Sequence, residues 1–197
     1  MAPAYNASST ASQLVNDLAG KIRGKVILTT GVSPNSLGAG FAQAIAKAHP
    51  GLLILAGRNP SKVQATVDAI TESFPDVEVR RLQLDLGSLT AVREAAAQVN
   101  SWADVPFIDV LVNNAGVMGT DFSLSPDGIE SQLATNHLGP FLFTNLIMDK
   151  ILASDSPRIV NISSNLHRVH PIRFADYNFM VPPIALPVHK PYMRKYT

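Results

Sequence analysis

No cysteine occurs among the 197 residues, which excludes disulfides, thiol nucleophiles and cysteine-bound metals and suits a reducing compartment. Charge is scarce as well: 16% of the residues are Asp, Glu, Lys or Arg, and the formal net charge is +1. No basic field is available to neutralise phosphates, so neither nucleic acid nor an acidic membrane surface is expected as a partner. Long apolar runs are missing too. None nears the ~18 residues needed to cross a bilayer, and the N-terminus lacks the basic start and apolar core of a secretory signal. A cytoplasmic protein is expected. What the chain does have is apolar content, 46% of a length that can bury one substantial core, which favours one domain over two.

Strand and helix patterns alternate along the chain. Lys25–Thr29 and Leu52–Ala56 are short apolar runs bounded by glycine, the signature of strands buried on both faces. A helix over Ala39–His49 separates them. Residues 77–84 alternate at period two, and Val92, Ala95, Ala96, Val99 and Trp102 then recur at helical spacing behind a Ser88 cap. A strand ending at Val112, one long helix from about Ile129 to Leu152, and a fifth strand over 158–162 complete the series. This order predicts an α/β fold: a Rossmann-like doubly wound parallel sheet, incomplete at its C-terminal edge. The expected division is a loosely attached N-terminal extension over 1–20, closed by Gly20, a dinucleotide-binding domain over 21–180, and an irregular segment over 181–197. In that last segment Pro182, Pro183, Pro187 and Pro191 exclude a helix.

Two turns carry the chemistry. Thr30 to Ala42 follows the first strand and opens a helix, where backbone N–H groups and the helix dipole can hold a pyrophosphate. Gly31 supplies the turn and Gly38 the close approach; glycine also ends strands for steric reasons alone, so this segment needs support from elsewhere. Dinucleotide folds place a residue beside the adenosine ribose ~20 positions beyond the glycines, which here is Arg58. An acid would suit NAD, whereas a guanidinium fork suits a 2′-phosphate, with Asn59-Pro60-Ser61 as the cap and first turn of a helix facing the same anion. NADP is therefore expected. Asp85, at the end of the third strand, either accepts from the adenine amine or caps the next helix.

Four motifs in order resemble the short-chain dehydrogenase/reductase family, in particular its NADP-using members of retinol-dehydrogenase and fungal-reductase type. They are the Thr30-Gly31 turn, Asn113-Asn114-Ala115-Gly116, Asn136-His137-Leu138-Gly139, and Ile159-Val160-Asn161-Ile162-Ser163-Ser164. The resemblance implies hydride transfer between a nicotinamide and a small-molecule carbonyl or alcohol. It assigns Ser164, with Ser163 as the alternative, to hold the substrate oxygen, and a tyrosine to exchange its proton beside a lysine four residues on. It further implies that Asn113 binds near the adenosine half and helps fix its strand, that Ala115 and Gly116 let backbone pass close to the nicotinamide ribose, and that Thr30 and Leu37 join the cofactor-binding turn. Pro140 lacks the N–H that would bond the Asn136 carbonyl in a regular helix. That carbonyl either serves the family's water relay or marks a kink that only improves packing. His137, His167 and His170 have no metal-ligand spacing, and no metal is expected.

The sequence departs from the family at two places. Its glycine turn is one residue longer, with Ser36 where a middle glycine is usual. No tyrosine is followed four residues later by lysine; Tyr196 stands where such a motif would begin, and Thr197 is the last residue. An unperturbed tyrosine is only about one part in a thousand ionised at neutral pH, so without that lysine cofactor binding and turnover would separate. The expected activity is thus an NADP-dependent reductase, impaired by truncation; the alternatives are a non-catalytic dinucleotide-binding protein and an inactive fragment. An apolar fifth strand left at the sheet edge predicts instability or association with a second copy.

Overall fold

The computed structural model describes residues 5–168 and 174–180. Five parallel strands, β1 (Val26–Thr30), β2 (Leu52–Gly57), β3 (Val79–Gln83), β4 (Val110–Asn113) and β5 (Arg158–Asn161), form one sheet in the order β3-β2-β1-β4-β5. The register pairs Thr30 with Ala56, Thr29 with Val112 and Asn113 with Asn161, so the C-terminal ends of β1, β2, β4 and β5 lie along one rim.

The apolar runs form strands because both faces are covered. Leu28, Ile54 and Ala56 pack against α4 (Leu89–Ser101), α6 (Gly139–Leu146) and α7 (Met148–Leu152), whereas Ile27, Leu53 and Leu55 pack against α1 (Ala11–Ile22), α2 (Leu37–Ala46) and α3 (Pro60–Ser73). Neighbouring residues thus feed two cores, as strand alternation requires.

Asn59 and Ser88 cap α3 and α4 as expected, accepting from the amides of Lys62 at 3.0 Å and Ala91 at 3.3 Å. Three elements differ from expectation. The N-terminal segment is docked: α1 continues through Gly20 to Ile22, and Val15 is buried among Ile27, Ala42 and Ile45. The second helix begins two residues early, because Ser36 caps it, and stops at Ala46, with His49 in the left-handed region at φ 52° just before Pro50.

The long helix expected over Ile129–Leu152 is broken. It starts as α5 (Ser131–Leu133), widens into a π-helical turn (Ala134–Leu138), resumes as α6 and breaks again at Ile147, where φ is −105°. Pro140 cannot donate to the carbonyl four residues back. The chain accommodates it with a wider turn in which the Gly139 N–H reaches the Ala134 carbonyl. Gly139 itself lies against the Leu86 carbonyl, where a side chain has no room.

Beneath the opposite rim sits one buried acid. Asp109, 4% exposed, receives the Lys25 ammonium at 2.8 Å, the Val26 amide at 2.9 Å and the Ser154 hydroxyl at 2.7 Å. Burial pulls its pKa up, but these three donors outweigh that and leave it below the usual carboxylate value.

Candidate functional site

The connection after β1 runs to one side of it and the chain later returns to the other, so β1 and β4 flank the crevice where open α/β sheets bind ligands. A groove of about 400 Å³ opens there. One end is lined by Arg58, Lys62 and Asp85, its middle by the Gly31–Leu37 turn, and the other end by Gly116, Val117 and Thr135.

The middle is held by side chains rather than by glycine alone. Gly31 has φ +75°, and a Cβ there would meet the Ala115 Cα at 2.7 Å. At Gly38 a Cβ would lie 2.5 Å from both the Asn114 Nδ2 and the Gly31 carbonyl oxygen. The close approach at Gly38 is therefore to the protein's own β4 end, which seats the N-terminus of α2 against the crevice. Ser36 occupies the turn as its cap: its hydroxyl donates to the Gly31 carbonyl at 3.1 Å and accepts from the Ala39 amide at 3.2 Å. Leu37, the first helical residue, is 84% exposed on the groove wall.

Thr30 is buried and works as a clamp. Its hydroxyl accepts from the amides of Asn114 at 3.1 Å and Ala115 at 3.0 Å, locking the end of β4 to β1. The Asn114 side chain donates to the carbonyls of Thr30 at 2.9 Å and Gly31 at 3.2 Å.

Asn113 is not among the residues lining the groove. Its side chain is buried, and Nδ2 donates to the Thr144 hydroxyl at 3.1 Å and to Asn161 Oδ1 at 2.9 Å, joining β4 to α6 and β5. Of the two asparagines, Asn114 faces the groove, because consecutive residues at a strand end point to opposite sides.

Arg58 is exposed at the groove end, with no hydrogen bond or ion pair among the described residues, and Lys62 lies one turn into α3 beside it. Asp85 uses one carboxylate oxygen to accept from the Gly87 amide at 3.0 Å, while Ser88, not Asp85, caps α4. Asp85 still lines the groove.

Asn136 is exposed on the π-helical turn. Its side chain forms a two-way pair with Val117, accepting from the amide at 2.8 Å and donating to the carbonyl at 2.8 Å. Gly116 has no side chain where a Cβ would touch the Asn136 Oδ1 at 3.3 Å. Ser163 and Ser164 follow β5 and are exposed. Tyr196, Arg173, His170 and the proline-rich segment lie outside the described residues. Phe174 and Tyr177 are exposed at 82% and 54%, and His137 stacks on Phe141 with ring centroids 6.4 Å apart.

Sequence reasoning missed Ser36 as a cap, Gln132 as an acceptor for the Gly119 amide, Thr135 on the groove wall, and Asn178 as a partner of Glu130. A serine directly ahead of an apolar helical run is a cap signal, obscured at Ser36 by the glycine pattern around it. Nothing local marks the other three.

Residues 25–178 match the family model described as short chain dehydrogenase. The chain is 36% identical over 192 residues to oxidoreductase fscI of Fusarium equiseti, covering 95% of this chain and 74% of that one. It is 39% identical over 158 residues to human retinol dehydrogenase 13, covering 80% of this chain and 46% of the other, so it spans about half of that relative's length. A metagenomic short-chain oxidoreductase solved in complex with NADP superposes with a TM-score of 0.61 at 27% identity, covering 73% of this chain and 62% of that one.

Proposed function

The chain belongs to the short-chain dehydrogenase family, and from that premise we propose that it is an NADP(H)-dependent oxidoreductase of a carbonyl or alcohol substrate. The observation that carries the NADP reading is Arg58, exposed and unpaired among the described residues at the groove end, with Lys62 beside it. A planar cationic fork next to the first turn of α3 is the donor set a 2′-phosphate requires.

The groove residues fit such a cofactor. The capped N-terminus of α2 faces the middle, where backbone amides and the helix dipole favour a pyrophosphate. Asp85 retains a carboxylate oxygen for an adenine amine. Ala115, whose amide Thr30 holds, and Gly116, next to the Val117 that Asn136 pairs with, would lie toward the nicotinamide end. NADPH, when bound, supplies a hydride to the carbonyl carbon, and one proton taken up at the oxygen completes the alcohol.

By the family's pattern, Ser164 holds the substrate oxygen, Tyr196 exchanges the proton and Asn136 supports the relay behind it. These three roles are proposals that rest on the resemblance.

Titration with NADPH and NADH, on the wild-type chain and on Arg58→Ala, tests the reading. Wild type is expected to prefer NADPH about tenfold, and the variant to lose that preference with NADH binding unchanged. Equal affinities that Arg58→Ala leaves equal would refute the NADP assignment. Binding without NADPH oxidation on any carbonyl tested would favour a dinucleotide-binding role without catalysis.

A further inference from the structure

We propose that Thr66 is a positioning residue for the middle of the groove: by holding the Val32 carbonyl it aims the Ser33 amide as a donor to the cofactor's pyrophosphate. The inference rests on the dinucleotide reading above. Thr66 is 2% exposed on α3, and its hydroxyl donates to the Val32 carbonyl at 2.7 Å. The Lys62 carbonyl, one turn back, lies 3.5 Å from the same hydroxyl, at the outer limit of a hydrogen bond. A hydroxyl has one proton to give, and the geometry gives it to Val32. The Val32 carbonyl and the Ser33 N–H belong to one planar trans peptide, in which the two groups point in opposite directions. Gripping the carbonyl from α3 therefore turns the Ser33 amide away from α3.

Ser33 lines the groove, as do Gly31 before it and Ser36 and Leu37 after it, whereas Thr66 does not. The Ser33 amide has no acceptor among the described residues. The turn is tied on either side of it. The Gly31 amide donates to the Ala56 carbonyl at 2.8 Å, and the Ser36 hydroxyl and amide donate to the Gly31 and Ser33 carbonyls, each at 3.1 Å. Between those ties the Val32–Ser33 peptide has one hydrogen bond among the described residues, the one from Thr66. Burial of Val32, 0% exposed, anchors its side chain but leaves the following peptide plane able to rotate about ψ. Thr66 supplies that constraint. The helix that carries it is held independently, by the Asn59 cap and by Val63 and Ile70 in the core. Removing the hydroxyl should therefore release the peptide without moving Arg58 or Lys62 at the adenosine end.

The test compares NADPH with adenosine 2′-monophosphate, which carries the adenosine and the 2′-phosphate but no pyrophosphate. Both are titrated against the full chain, against Thr66→Val, which keeps the branched shape and loses the donor, and against Thr66→Ser, which keeps the donor. Thr66→Val is expected to weaken NADPH about fivefold and leave adenosine 2′-monophosphate unchanged, with Thr66→Ser within about twofold of wild type. In the wild-type chain NADPH should slow hydrogen exchange at the Ser33 amide about tenfold, and adenosine 2′-monophosphate should leave it fast. Four results would each overturn the role of Thr66 while leaving the dinucleotide reading intact: an unchanged NADPH affinity in Thr66→Val, equal weakening of both ligands, a loss in Thr66→Ser as large as in Thr66→Val, or a Ser33 amide that NADPH does not protect. A wild-type chain that binds no NADPH would overturn that reading and this inference together.

Discussion

At Gly38 a methyl group would sit 2.5 Å from the Asn114 amide nitrogen and from the Gly31 carbonyl oxygen. One of those atoms is backbone, so the turn itself must move. Gly38→Ala is expected to cost about 2 kcal/mol of stability and to abolish detectable NADPH binding, read by thermal unfolding with and without cofactor. An alanine variant that binds normally would show the turn to be looser than its contacts imply. Asp109 makes a second prediction of this scale. Its pKa is held below the unfolded value of about 3.9, because the Lys25, Val26 and Ser154 donors outweigh burial. The carboxylate's contribution is therefore complete above the unfolded pKa and is lost as pH falls through the folded one. Asp109→Asn should cost about 2 kcal/mol at neutral pH and flatten the acid limb of stability against pH, as measured by urea unfolding. An acid limb as steep as in wild type would assign the pH dependence to other carboxylates.

Among the elements, the interrupted helix is the one that organises the site. A regular helix over the same residues would lack the wide turn that brings Thr135 to the groove and sets Gly139 against Leu86. Its N-terminus is tied to the segment after β5. Asn178 Oδ1 accepts from the Glu130 amide at 2.9 Å, and its Nδ2 donates to the Gly128 carbonyl at 3.1 Å. Asn178→Ala should speed hydrogen exchange at the Glu130 amide about fivefold while exchange at the core strands stays at the wild-type rate. Unaltered protection at Glu130 would mean that the loop holds itself. This tie spans 48 residues and has no local signature, unlike the Asn59 and Ser88 caps, whose partners lie three residues away.

For the whole molecule, the consequential feature is the outer edge of the sheet. Among the described residues β5 pairs only with β4, and Ile159, Val160 and Ile162 are 38%, 41% and 54% exposed. An apolar strand with an unpaired backbone row invites edge-to-edge pairing. Light scattering should show the chain associating as its concentration rises, and Val160→Lys should suppress that association without changing NADPH affinity. A monomer at every concentration would show that the edge is covered in solution.

Period and punctuation were enough to place the five strands, the helix caps at Asn59 and Ser88, the crevice at the ends of β1 and β4, and Arg58 within reach of it. Each depends on residues close in sequence or on the fixed chirality of parallel crossovers. What only the tertiary structure decided depends on groups far apart in the chain. Which asparagine of the Asn113-Asn114 pair faces the groove was settled by the pairing of β4 with its neighbours, since a shift of one residue exchanges the two sides. The contacts of Gly38, Asn136, Gln132 and Asn178 were settled by backbone atoms that folding brings against them. A side chain's type states which hydrogen bonds it is able to form, and packing alone selects the partner.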